Sequence, residues 1–224
     1  IEEIQAALAR GEQVILFQNR RGFSHFIECR LCGWVPRCPH CDVSLTYHKN
    51  TQVLTCHYCG YTMRLPSKCP NCEEAHLADI GLGTEKVEEQ IKALFPQATT
   101  LRMDLDTVKT RAQCERVIHD FAAHKADILI GTQMVTKGLD FSNVSVVGIL
   151  NANTMLNQPD FRSYERTFHL LAQVAGRAGR KNTAGRVVLQ TRTADSEIIR
   201  QIAANDYWGM FYQQMTERST FHYP

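Results

Sequence analysis

Apolar positions along this chain switch between helical spacing and short unbroken runs. Ile4, Ala7 and Leu8 share one helical face over residues 1–10, Gly11 stops that helix, and Val14-Ile15-Leu16-Phe17 follows as a buried strand. Thr84 is placed to cap a helix that buries Val87, Ile91 and Leu94. Beyond it the pattern predicts a strand at 99–103, a helix over 107–123, a strand at 128–130 and a longer apolar strand at 144–150. A helix over about 161–179, a strand at 187–189 and helices near 195–204 and 206–218 complete the series. Strands read as continuous apolar runs when both faces are covered, so the alternation predicts an α/β fold of three layers around a parallel sheet.

One stretch interrupts this alternation. Cys-x-x-Cys occurs four times, as Cys29/Cys32, Cys38/Cys41, Cys56/Cys59 and Cys69/Cys72, leaving only Cys114 outside the block. Thiols so concentrated point first to two tetrahedral four-cysteine zinc sites, with two disulfide pairs or an iron–sulfur cluster as alternatives. Five residues separate Cys32 from Cys38, little chain for closing two opposed knuckles on one ion, whereas the 14 residues between Cys41 and Cys56 approach zinc-ribbon spacing. The spacing favours nesting, with Cys38, Cys41, Cys56 and Cys59 on an inner zinc and Cys29, Cys32, Cys69 and Cys72 on an outer one. An interleaved pairing like a RING-type cross-brace is the alternative. Four thiolates leave no open position, so both sites are expected to be structural. Few large apolar residues lie between the pairs, and metal binding is expected to supply most of the folding free energy there, on the order of 10 kcal/mol per zinc. Gly33 and Gly60 follow the second cysteine of a pair, where a tight turn suits glycine. His40 and His57 are expected to be exposed rather than ligands.

Composition adds limits. A chain of 224 residues with 44% apolar composition can bury a full core. Its net charge of +2 neither demands nor excludes nucleic acid. From 29 to 72 five basic residues face one acid, and two zinc centres of four thiolates each would bring that +4 close to zero. This argues against a purely electrostatic grip on DNA, although Trp34, Tyr47, Tyr58 and Tyr61 either pad the zinc core or stack on bases. No membrane span or signal peptide is visible, and a cytoplasmic location is expected. A first residue other than Met suggests a piece of a longer chain.

Glu73-Glu74-Ala75-His76 mimics the acidic box of a motor ATPase, but it follows a zinc knuckle rather than an apolar strand. Gly-x-x-x-x-Gly-Lys-Ser/Thr is absent throughout, so Gly81-Leu82-Gly83-Thr84 reads as a turn. Two other stretches carry chemistry. Gly131-Thr132-Gln133-Met134-Val135-Thr136-Lys137-Gly138-Leu139-Asp140 follows a buried strand directly, and Gln173, Gly176, Arg177 and Arg180 would share one polar, cationic helix face. Arginines so placed can stabilise charge on a transferring phosphoryl group. Asn19-Arg20-Arg21-Gly22 forms a basic loop where a parallel sheet presents its carboxyl edge to a ligand.

These residues carry a resemblance. Gln173 through Arg180 resembles motif VI, and Gly131 through Asp140 motif V, of superfamily 2 helicases. With Asn19 through Gly22, the cysteine pairs, Gly83-Thr84-Glu85 and Pro159-Asp160-Phe161-Arg162 before Glu165-Arg166, nearly the whole chain resembles the bacterial primosomal replication-restart helicases. The resemblance implies a RecA-like second helicase lobe of the P-loop NTPase type over 1–26 and 78–224, with a two-zinc insertion over 27–77. It implies that Arg177 and Arg180 act catalytically on ATP with Mg2+, that Gly138, Asp140 and Gln173 join them around the nucleotide, and that Arg20, Arg21 and Thr132 face single-stranded DNA. It supports the nested zinc pairing. The family commonly has Asp where this chain has Asn153. Partners implied are single-stranded and forked DNA, single-strand-binding protein and other primosome proteins, with the protein itself a monomer. A zinc-dependent nucleic-acid or protein-binding module without motor activity, or another superfamily 2 translocase, stays open as an alternative.

Overall fold

The computed structural model describes residues 1–19, 27–48, 51–79, 84–105, 107–136, 141–179 and 185–224. In chain order the elements are α1 (Glu2–Ala9), β1 (Gln13–Gln18), β2 (Ile27–Cys29), β3 (Thr46–His48), β4 (Val53–Thr55), β5 (Thr62–Arg64) and β6 (Leu77–Asp79). They continue with α2 (Thr84–Leu94), β7 (Thr100–Met103), α3 (Arg111–Ala122), β8 (Ile128–Gly131), a 3-10 turn (Gln133–Thr136) and β9 (Val144–Leu150). The remainder is α4 (Asn153–Leu156), α5 (Ser163–Ala175), β10 (Arg186–Leu189), α6 (Glu197–Ala204) and α7 (Tyr207–Thr220).

The chain divides into two compact units. The first holds Ile1–Arg20, Leu82–Ala152 and Leu170–Gln190, the second Arg21–Gly81, Asn153–His169 and Thr191–Pro224. The unit containing the cysteines thus reaches beyond 27–77 and takes in two later segments.

A five-stranded sheet in the order β10-β9-β1-β8-β7, parallel throughout, organises the first unit. Every residue of the central strand β1 is buried, which is why it reads as an unbroken apolar run. Val14 and Leu16 point to one face, where they pack with Ala7 of α1 and with Val87 and Ile91 of α2. At the carboxyl edge Phe17, Gly131 and Met103 lie in register. Gly131 is required there by close approach: a Cβ would collide with the Val135 side chain and sit 3.0 Å from the Met103 carbonyl oxygen.

Two expected helices have different limits. α3 begins at Arg111 rather than 107, because Thr110 and Gln113 form a reciprocal capping box: Gln113 N donates to Thr110 Oγ1 at 3.2 Å and Thr110 N donates to Gln113 Oε1 at 3.1 Å. α5 ends at Ala175 rather than about 179. Arg177 N donates to Val174 O at 3.0 Å and Ala178 N to Ala175 O at 3.1 Å, a tightened last turn that Gly179 leaves at φ 70°.

The second unit contains a three-stranded antiparallel sheet, β3-β4-β5, and a separate pair, β2 with β6. Val43, Leu45 and Leu54 form a small apolar core with Cys38 and Cys56, and Tyr47, Tyr61, Phe161 and Tyr223 pack against it. Part of this core therefore comes from outside the cysteine block, which reduces what metal alone must supply.

Candidate functional site

The four Cys-x-x-Cys turns repeat one backbone pattern. In each, the residue after the second cysteine donates its N–H to the first cysteine's carbonyl: Gly33 to Cys29 at 2.9 Å, Asp42 to Cys38 at 2.9 Å, Gly60 to Cys56 at 2.9 Å and Glu73 to Cys69 at 2.8 Å. The first cysteine's own N–H reaches the carbonyl of the residue after that, as Cys29 to Trp34 and Cys38 to Val43, both at 2.8 Å. Such a turn needs a left-handed residue, and φ is 75° at Gly33, 48° at Asp42, 77° at Gly60 and 60° at Glu73. Glycine marks two of these positions in the sequence; nothing local marks Asp42 or Glu73.

These turns gather the sulfurs into two groups, Cys29, Cys32, Cys69 and Cys72, and Cys38, Cys41, Cys56 and Cys59, with all four atoms of each within 4.8 Å of one another. The grouping is nested, not interleaved. Cys29 and Cys72 are 3.6 Å apart, Cys32 and Cys69 3.6 Å, and Cys38 and Cys59 3.5 Å. All are free thiols, far from disulfide distance. Four sulfurs at about 2.3 Å from one ion lie about 3.8 Å apart, so each group fits a single tetrahedral metal. Burial pushes the Cys41 thiol up to about 12, while a hydrogen bond with the Asn71 side chain brings Cys32 down to about 6. Within each group, a cation between the four sulfurs would ionise all of them together, whatever their separate tendencies. The donor set and spacing fit zinc at both four-cysteine sites.

His40 rests edge-on against Tyr61, and His48 against His57, outside both sulfur groups. Tyr47 and Tyr61 pad the core, whereas Tyr58 is 47% exposed and packs edge-on against Phe161 and Tyr223. Asn153, buried, serves as an amide: its Oδ1 accepts from Arg192 N at 2.9 Å and from Thr191 Oγ1 at 3.0 Å, and its Nδ2 donates to Thr193 Oγ1 at 3.1 Å.

Among the motor residues, Thr132 stands just past β8 at the carboxyl edge, where its N–H donates to Met103 O at 3.2 Å. It is buried there. Gln173 is exposed on the last turn of α5, and Arg177 is half-buried beyond the end of that helix. Arg20, Arg21, Gly138, Asp140 and Arg180 lie outside the described residues.

Sequence reasoning missed Asp104. Buried at the same edge, it accepts from Thr84 Oγ1 at 2.5 Å, Arg102 Nε at 3.0 Å and Thr107 N at 2.9 Å. Desolvation alone would raise its carboxyl, but bonds from Thr84 and Thr107 and the charge of Arg102 hold it below the ordinary carboxylate range. Thr84, expected as a cap, is the first residue of α2 and ties that helix to the end of β7 through its hydroxyl. A polar residue directly after a short apolar strand was the available signal.

Known proteins are similar to this chain in sequence. Residues 38–64 match the Cys-rich region domain of the PriA DNA helicase, and residues 82–182 the helicase conserved C-terminal domain. The chain is 47% identical to the replication restart protein PriA of Bacillus subtilis over all of its length and 28% of that protein's. It is 42% identical to PriA of Haemophilus influenzae over 100% of this chain and 31% of that protein, and 39% identical to PriA of Treponema pallidum over 100% and 34%. It thus spans about a third or less of the length of these curated relatives. A parallel sheet with helices in a helicase C-terminal domain is a RecA-like lobe. In that lobe and in the cysteine region, in order and over its full length, the chain is similar to the PriA replication restart proteins.

Proposed function

We propose that this chain is the second lobe of an ATP-dependent 3′-to-5′ DNA helicase that acts at stalled or branched replication forks and restarts replication by assembling the primosome. The lobe comprises 1–26 and 78–224 and carries a two-zinc insertion at 27–77. The observation that carries the reading is the co-occurrence in one chain of the Cys-rich region and the helicase C-terminal domain, with the run Gln173 through Arg180 between β9 and β10 in the sequence.

In this reading Arg177 and Arg180 complete a nucleotide site whose phosphate-gripping loop lies on another lobe, since Gly-x-x-x-x-Gly-Lys-Ser/Thr does not occur here. Gln173, Gly138 and Asp140 line the same site around ATP and Mg2+. Thr132, with Arg20 and Arg21 following the central strand, faces single-stranded DNA at the carboxyl edge of the sheet. Cys38, Cys41, Cys56 and Cys59 hold the inner zinc, and Cys29, Cys32, Cys69 and Cys72 the outer. With no open coordination position, the metals cross-link the fold and take no part in hydrolysis. Single-strand-binding protein and other primosome proteins are the partners, and the work is cytoplasmic. Among the described residues no helix is long and apolar enough to cross a membrane.

Unwinding of forked DNA by the full-length protein tests this. ATP-dependent strand separation with 3′-to-5′ polarity is expected. Tight binding to forks without unwinding, by protein carrying two zinc ions, would instead identify a binding module on a motor-like scaffold.

A further inference from the structure

Each sulfur group is held by one side chain from far along the chain, and both of these side chains lie in the same compact unit as the cysteines. Arg192 Nη1 donates to the Cys29 carbonyl at 3.0 Å across 163 residues of sequence. Tyr223 Oη donates to the Cys41 carbonyl at 2.8 Å across 182. We propose that Arg192 and Tyr223 are positioning residues of the outer and inner metal sites, so that retention of each metal depends on the chain downstream of β10. The proposal rests on the zinc assignment above.

Arg192 is fixed at both ends. Its backbone N–H is bound by Asn153, and its guanidinium lies 3.1 Å from Glu28 Oε1, a fully buried carboxylate beside Cys29. Glu28 and Arg192 thus form an ion pair beside the same cysteine whose carbonyl Arg192 binds. The Cys29 carbonyl then accepts two bonds, one closing its own turn from Gly33 and one from Arg192. A Cβ on Gly33 would lie 3.3 Å from Arg192 Cβ, so the turn and the arginine are packed together as well as bonded.

Tyr223 grips both turns of the inner site. Its ring stacks on Phe161 at 4.6 Å and 8°, and meets Tyr58, inside the Cys56/Cys59 turn, edge-on at 5.7 Å. Arg162 and Arg218 place their guanidiniums 5.1 and 5.4 Å from the centre of the Phe161 ring, holding the platform on which Tyr223 lies. Outer partners that orient ligands affect metal affinity roughly 10- to 100-fold, because the ligand must be held where the ion needs it.

The test is zinc release from the full chain to a chromogenic chelator, with alkylation and peptide mass analysis showing which cysteines become free. Tyr223→Phe removes only the hydroxyl and is expected to speed release of one equivalent about fivefold, exposing Cys38, Cys41, Cys56 and Cys59 first. Arg192→Met alone would strand the buried Glu28 charge, so the Glu28→Gln/Arg192→Met double variant is compared with Glu28→Gln. Roughly tenfold faster release of the other equivalent is expected, exposing Cys29, Cys32, Cys69 and Cys72. Release unchanged in both, or accelerated equally at both sites, overturns the proposal while leaving two zinc ions per chain. Fewer than two zinc ions in the unaltered protein overturns the metal assignment and the proposal with it.

Discussion

Asn153 accepts the backbone N–H of Arg192 at 2.9 Å while its own amide donates to Thr193 Oγ1 at 3.1 Å. This buried side chain uses both ends of its amide, yet only the acceptor end is indispensable. A hydroxyl can donate as readily as accept, so Thr193 can turn its proton toward a carboxylate. An Asp at this position can therefore keep the same loop. Asn153→Asp is expected to cost less than about 1 kcal/mol and Asn153→Leu about 2–3 kcal/mol, because leucine leaves the Arg192 N–H and the Thr191 hydroxyl without their buried acceptor. Denaturant midpoints of the two variants check the order, and equal losses would contradict it.

Asp104 gives a pH dependence. Its carboxyl ionises more readily folded than unfolded, so its contribution is complete above the unfolded value of about pH 4 and fades as pH falls through the lower folded value. Asp104→Asn is expected to lower stability at pH 7 by about 1–2 kcal/mol, with a gap that narrows below about pH 4. Denaturant midpoints between pH 7 and pH 3 measure it; a gap constant with pH would count against the hydrogen-bonded carboxylate.

The cysteine turns supply a backbone test. Gly60 has φ 77° and nothing within 4 Å of where a Cβ would sit, so Gly60→Ala isolates the conformational cost, about 1 kcal/mol. Gly33→Ala is expected to cost more, since its φ of 75° is joined by the 3.3 Å approach of Arg192. Thermal unfolding of the zinc-loaded variants checks the ranking.

Removing one ligand tests the pairing. Cys38→Ser is expected to release one zinc and leave Cys41, Cys56 and Cys59 open to alkylation while Cys29, Cys32, Cys69 and Cys72 stay protected. An effect appearing at Cys69 and Cys72 instead would support a cross-braced pairing.

Much of this was legible in the chain itself, for reasons that differ by element. β9 runs over the expected 144–150 because a parallel strand buried on both faces leaves an unbroken apolar run. The nested sulfur groups followed from loop lengths, since 5 residues between Cys32 and Cys38 and 14 between Cys41 and Cys56 restrict which turns can meet. Apolar spacing carried the expected α5 too far, because a 100° repeat has no means of registering that Gly176 and Gly179 end the helix. The start of α3 was readable from Thr110 and Gln113 as a capping box, a signal weaker to the eye than apolar spacing. Least legible were long-range contacts. Nothing near Tyr223 indicates a bond to the carbonyl of Cys41, and nothing near Asp104 identifies Thr84 as its partner.

The most direct measurement is DNA-stimulated ATP hydrolysis by the full-length protein with Arg180→Ala, and separately Arg177→Ala. If these arginines complete a nucleotide site shared with another lobe, stimulated turnover falls on the order of a thousandfold while both zinc ions stay bound. Stimulated turnover that survives both substitutions would contradict the account.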